Sequence, residues 1–163
     1  MREVKFRGKA LLEEYQLNSY GIKNNNRWVE GNLIQNENNP WIVGDIVEAD
    51  WEYLVHEFWV EVESKTVGQY TGLKDKNGRE IYEGDIVYYK SEVEQFGEPL
   101  IHVQIGVISI DKGMVGFRGK TRQVYRGEAN THNSNFLMLS SEIYEVIGNI
   151  CENPELLEFD SII

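Results

Sequence analysis

One cysteine and three histidines in 163 residues leave little material for covalent or metal chemistry. Cys151 alone cannot close an internal disulfide, which agrees with a reducing compartment, and it has no CxxC neighbour. It follows the apolar face of "YEVIGNI" and precedes an Asn-Pro pair, so it is expected to be packed and slow to react. His56, His102 and His132 are scattered without zinc-type spacing. His56-Glu57 begins like a zinc-protease helix, but Val60 stands where the second histidine must fall. Long apolar runs are missing too. The longest candidate, "LIHVQIGVISI", falls short of the ~18 residues of a membrane span, and "MREVKFRGKA" has no apolar block behind its basic residues. A cytoplasmic protein with no membrane contact is expected. Basic residues are the minority, 16 Lys and Arg against 27 Asp and Glu; the net charge of −11 disfavours general affinity for nucleic-acid phosphates.

Nucleotide and calcium loops fail residue by residue. "MVGFRGKTR" ends like a phosphate loop at Gly119-Lys120-Thr121, but Met114 occupies the place of its first glycine. Asp75 and Asn77 suggest a calcium loop, yet Glu80 stands where that motif needs glycine and Ile86 where it needs glutamate. No catalytic residue, cofactor or metal is expected.

What is present is alternation with a period of two, the spacing that puts every second side chain on one face of a strand. It runs through Val4 and Phe6, through Trp28 to Ile34, through Phe58, Val60 and Val62, through Val103, Ile105 and Val107, and through Tyr144, Val146, Gly148 and Ile150. Turn-rich pieces such as "NSYGIKNNN", "QNENNP" and "RGEANTHNSN" separate these runs. Two stretches read as short helices, "KALLEEYQL" and "ENPELLEF"; in the second, Asn153 is placed to cap and Pro154 to take the first helical position. "GDIV" occurs at Gly44 to Val47 and at Gly84 to Val87, in both cases as a turn feeding a strand. Asn77-Gly78 is a type I′ hairpin signal, with positive φ expected at both residues. Gly84-Asp85 marks a second turn.

The run "TVGQYTGLKDKNGREIYEGDIV", a following "GVI" strand and the closing "EVIGNICENPELLE" resemble the YopX-like family of phage and prophage proteins, and "REVKFRG" and "WVEGNLI" are similar to that family's start. The stretch "NENNPWIVGDIVEADWEYLVHEFW" departs from the shorter family pattern. The resemblance implies a mainly β protein with an SH3-like small β-barrel and an origin in a prophage or temperate phage. It carries no catalytic residues across, because the family's function is unknown. Together with the strand pattern it suggests a β-rich N-terminal lobe over residues 1–65 and a barrel with a short C-terminal helix over 66–163, or one continuous domain.

Two charged stretches remain as candidate surfaces. Asp45 to Glu63 holds seven acids and no Lys or Arg, interleaved with Trp51, Tyr53, Phe58 and Trp59; Glu48, Asp50, Trp51 and Glu52 are its candidate contact residues for a protein partner. A solvated strand face, with the aromatics in the core, is the alternative. Lys112 to Gly127 holds Lys112, Arg118, Lys120, Arg122 and Arg126 without an acid; cations near Phe117 and Tyr125 are the ingredients of a single-strand nucleic-acid site. The two stretches could also attract each other between copies of the chain. The functional expectation is a non-enzymatic phage or prophage accessory protein acting by protein contact or self-association. Nucleic-acid binding through residues 112–127 is the alternative, and an enzyme using dispersed His and carboxylates is a more distant one.

Overall fold

The computed structural model describes residues 3–36, 39–138 and 140–158. Its chain is mainly β and divides into two compact units, Met1–Tyr70 and Thr71–Ile163.

In the first unit, β1 (Phe6–Lys9) pairs antiparallel with β2 (Trp28–Ile34), which pairs with β3 (Trp41–Val43). A separate two-stranded ribbon, β4 (Ile46–Ala49) and β5 (Leu54–His56), leads into β6 (Trp59–Glu61), which returns beside β3. On the other side of β1, Gly68 and Gln69 open β7 (Gly68–Lys74). The alternation in "HEFWVEV" works as expected: Val60 and Val62 are fully buried with Ala10, Leu17, Val29 and Ile42. Val4 remains exposed, because the first strand begins two residues after it. Gly31 is dictated by space, since a Cβ there would lie 2.2 Å from the carbonyl oxygen of Val43. Asn26 and Arg27 both have positive φ and close a tight turn between Asn25 and Trp28. The Arg27 guanidinium secures it by donating to the carbonyls of Ala10 and Leu12.

The first helix is later and shorter than "KALLEEYQL" suggests. It is α1 (Glu14–Ser19), with the Gln16 side chain accepting from the Glu13 N–H at 2.9 Å. Sheet bonding takes the preceding residues: Lys9 ends β1, the Ala10 N–H donates to Arg27, and the Leu11 N–H to Glu61.

The second unit starts with the rest of β7 and β8 (Glu80–Tyr82), followed by β9 (Asp85–Gln95), β10 (Glu98–Asp111), β11 (Met114–Tyr125), β12 (Glu128–Leu137) and β13 (Glu145–Asn149). The last five form an antiparallel sheet in the order β12-β11-β10-β9-β13. Three two-residue turns connect β9 to β12: Phe96-Gly97, Lys112-Gly113 and Arg126-Gly127, all with positive φ at both positions. These are the type I′ turns whose twist matches that of the flanking strands.

The expected type I′ turn at Asn77-Gly78 is a different turn. Gly78 has φ +81, but Asn77 does not have positive φ. The loop is one residue longer: the Gly78 N–H donates to Asp75 at 2.9 Å, and the Asp75 N–H to Arg79 at 2.8 Å. The Asp75 carboxylate collects the N–H groups of Asn77 and Arg79 inside it, so a single left-handed glycine suffices. Gly84, at φ +85, turns the chain into β9, and fully buried Asp85 accepts from the Tyr82 N–H at 2.8 Å.

On one face of the sheet, Val87, Ile108, Phe117 and Val146 pack with Ile81, Met138 and Tyr144. On the other, Ile86, Val103 and Ile105 are covered by Ile147, Leu156 and Leu157. The C-terminal helix is one 3-10 turn, Pro154–Leu157, and Asn153 makes no side-chain cap; Phe159 of "ENPELLEF" lies outside the described residues. Asn149 shapes the turn before it, its Oδ1 accepting from Cys151 and Glu152 at 3.0 Å each. Cys151 is therefore exposed, against expectation: β13 stops at Asn149 and the thiol sits on the turn rather than in the sheet.

Candidate interaction surface

The ribbon β4-β5 has a composition unsuited to standing alone. Apolar residues come in adjacent pairs, Ile46-Val47 and Leu54-Val55; β4 is irregular between Ile46 and Glu48, but Leu54 and Val55 are successive residues of regularly paired β5 and point to opposite faces. Apolar side chains thus occupy both faces, and both are wet: Ile46 is 56% exposed, Val47 62%, Leu54 50% and Val55 39%. Trp51 at the tip is 89% exposed. A two-stranded ribbon is at best marginal in water, and exposed apolar surface of this kind is normally covered by something.

Side chains hold the tip. The Asp50 N–H donates to the Tyr53 carbonyl, and the Asp50 Oδ1 accepts from the N–H groups of Glu52, at 2.7 Å, and Tyr53, at 3.1 Å. The Tyr53 hydroxyl donates to Glu48 Oε1 at 2.6 Å; that carboxylate, with a little burial, holds the phenol above its ordinary pKa. At the base, the His56 ring nitrogen Nδ1 meets the Gly44 carbonyl oxygen at 2.8 Å, and the ring stands edge-on to Trp59 at 5.1 Å. Gly44 must be glycine because a Cβ would lie 2.8 Å from the Phe58 ring.

Of the four candidate contact residues here, Asp50 and Glu48 also build the turn, while Trp51 and Glu52 project from its tip. Among the interleaved aromatics only Phe58 packs on the core; Trp51, Tyr53 and Trp59 are exposed. The charge is one-sided well beyond the ribbon: residues 28–64 contain nine acids and no Lys or Arg. The exposed aliphatics are not among the residues expected here; the doublets that break alternation are their signal in the sequence.

The basic stretch divides along β11. Its period of two sends Arg118, Lys120 and Arg122 to one face, with Asn135, Asn133 and Thr131 of β12 directly across from them. Phe117 goes to the other face, where it is 1% exposed and stacks on Phe136 at 4.7 Å, so it offers no surface to a base. Lys112 and Arg126 are turn residues at opposite ends of the 12-residue strand, about 40 Å apart at strand rise. Lys120 pairs with Glu158 at 3.3 Å, and Arg126 lies over the Tyr125 ring at 5.3 Å. Three of the five cations and none of the stacking aromatics share a face.

The histidines are not assembled. His56 is tied to Gly44, His102 lies edge-on to Tyr89, and His132 is on β12, two strands from His102. Among the described residues no group of three or more His, Cys, Asp or Glu is placed to hold a metal ion, and no helix is long and apolar enough to cross a membrane.

The family model described as YopX protein matches residues 22–158. The chain belongs to the YopX family. The match takes in the ribbon, its acidic surroundings and all of β11. Protein EF1440 from Enterococcus faecalis is similar to the chain in its solved structure, at 24% identity over 97% of this chain and 100% of that one, with a TM-score of 0.45. No curated protein matches.

Proposed function

We propose that this YopX-family protein is a non-enzymatic phage or prophage accessory protein that works in the cytoplasm, and that the ribbon β4-β5 is its contact with a protein partner. The partner presents an apolar surface ringed by Lys and Arg. The observation behind this is the exposure of Ile46, Val47, Trp51, Leu54 and Val55 on both faces of one acidic ribbon. Aliphatic and aromatic groups would supply contact energy on burial, and the surrounding carboxylates would select a basic partner and speed its approach. The five-stranded sheet of the second unit is compatible with the SH3-like barrel implied by the resemblance.

The test is capture from host extract, purification of the captured protein and titration of that protein by calorimetry. Native chain should bind it with an affinity that falls as salt rises. Trp51→Ala with Leu54→Ser, and separately Glu48→Lys with Asp50→Lys and Glu52→Lys, should abolish binding while circular dichroism stays unchanged. Equal affinity of native and variant chains would refute the proposal.

Nucleic-acid binding is the second reading, supported by the shared face of Arg118, Lys120 and Arg122 with the Asn and Thr row beside it. A salt-sensitive gel shift lost in the triple alanine variant would favour it.

A further inference from the structure

We infer that β12 pairs edge to edge with β12 of a second copy, antiparallel about a two-fold axis at Asn133, joining two five-stranded sheets into one of ten. The sheet edge carries this pairing independently of the ribbon. β12 runs for ten residues and, among the described residues, has one neighbouring strand, β11. The turn between them decides which backbone groups are left over. Tyr125 and Glu128 flank a two-residue type I′ turn, so they form a doubly hydrogen-bonded pair. Every second residue from Glu128 then turns its N–H and C=O toward β11. Met138 continues this parity, donating its N–H to Val115 at 2.8 Å. Ala129, Thr131, Asn133, Asn135 and Leu137 turn theirs outward.

Soluble proteins protect such rows with short strands, bulges, prolines or lysines on the edge. Among the described residues, the other end strands of the two large sheets follow that rule: β13 has five residues and a bulge between Val146 and Gly148, and β6 and β8 have three residues each. β12 has none of these devices. Its register against β11 is unbroken, it contains no Pro, Lys or Arg, and its one charge, Glu128, sits at the end.

A second copy fits this edge because the residues are complementary when the strand is reversed on itself. With Asn133 opposite Asn133, Thr131 meets Asn135 and Ala129 meets Leu137, which is 51% exposed in the single chain. On the opposite face His132 meets Ser134, and Asn130 meets Phe136, which is 38% exposed. No like charges meet at any step, and the isologous arrangement closes at two copies. Each copy carries −11, so long-range repulsion opposes the pairing and salt screens it. Dimerisation should therefore strengthen as salt rises, the reverse of binding through the acidic ribbon.

The experiment is analytical ultracentrifugation of the full chain over a range of concentration and salt. Native protein should reach a dimer, more completely at high salt. Asn133→Pro removes one outward N–H without touching a bond to β11, and should leave a monomer with an unchanged circular dichroism spectrum. Asn133→Lys and Asn133→Glu, which place like charges opposite each other at the axis, should each be monomeric at low salt. Mixing the last two should restore a dimer containing one of each. Trp51→Ala should dimerise like the native chain. A native chain that stays monomeric at its highest soluble concentration, a dimer that survives Asn133→Pro, or a lysine and glutamate mixture that stays monomeric would overturn the inference.

Discussion

Asp75 is a side chain whose loss should be felt sharply in the second unit. The residue is 5% exposed. Oδ1 accepts from the N–H of Asn77 at 2.8 Å and of Arg79 at 2.9 Å, and Oδ2 accepts from the N–H of Val146, 71 residues along the chain, at 3.0 Å. One residue thus shapes the β7-β8 turn and fastens it to β13. In Asp75→Ala, the N–H groups of Asn77 and Arg79 lie in a turn that water can reach, so each lost bond costs about 1 kcal/mol. The N–H of Val146 is buried, and leaving it unpaired adds about 1–3 kcal/mol. A total of about 3–5 kcal/mol follows, a large share of the stability of a unit this size. Asp75→Asn separates charge from shape: its amide oxygen can serve one side, but its NH₂ must face an N–H on the other, for a cost of about 2 kcal/mol.

The pH dependence has a definite sign. Burial pushes the Asp75 carboxyl up, but the N–H groups of Val146, Arg79 and Asn77 and the Arg79 guanidinium outweigh it, leaving the folded pKa below the ordinary value. A carboxylate depressed in the folded state contributes stability that is complete above the unfolded pKa, about 3.9, and lost as pH falls through the folded value. In urea titrations across pH, the gap between native protein and Asp75→Asn should be widest near neutrality and close in acid. An Asp75→Asn variant as stable as native at neutral pH, or a gap that widens in acid, would overturn this role for the carboxylate.

Two glycines should separate strain from collision. Gly78→Val meets nothing within 4 Å and pays only for φ +81, about 1 kcal/mol, whereas Gly119→Ala would put a Cβ 2.0 Å from the Ile105 carbonyl oxygen and should cost ~3 kcal/mol or more in denaturant titration. Burial, then the charge of Tyr89, pushes the Tyr144 phenol up to about 12, and its hydroxyl donates to Gln104. Stability from keeping it neutral is complete below about pH 10, the unfolded value, and is lost as pH rises through the folded one, so Tyr144→Phe should remove that alkaline component of the melting curve. Cys151, being exposed, should react with a thiol reagent in native buffer as fast as it does in urea; protection in native buffer would count against its placement on the turn.

The strand content was legible because alternation is a local property with a direct geometric consequence. Val60 and Val62, Val103 and Ile105, and Tyr144 and Val146 are all buried as that rule demands. Turn chemistry was legible only in part. Asn77-Gly78 carries the strongest dipeptide signal, but Asp75 captures the loop and lengthens it, an effect that depends partly on Val146. The three type I′ turns of the second unit open on Phe96, Lys112 and Arg126, residues with no preference for positive φ, and lie hidden inside other patterns, unlike Asn26-Arg27, which has positive φ at both positions and opens on an asparagine. That is also why the basic stretch read as one site: a run of 16 residues was counted as a neighbourhood, while the strand it forms holds its ends far apart and sends Phe117 into the core.

The repeated "GDIV" shows where local reading must stop. At Gly84 the glycine supplies a positive φ, Asp85 is fully buried on the Tyr82 N–H, and Ile86 and Val87 are fully buried because β10 and β13 flank them and apolar clusters cover both faces. At Gly44 the same four residues are used differently. The glycine makes room for Phe58, Asp45 is exposed, and Ile46 and Val47 are 56% and 62% exposed on a ribbon with one partner strand. Nothing within the tetrapeptide distinguishes the two cases; the layer above the strand does. Two buried aliphatics of this kind are each worth about 1.5–3 kcal/mol when water is removed from them. The second copy of the motif realises that energy in folding. The first leaves it unrealised within the chain, which is the physical reason to look for its counterpart on another molecule.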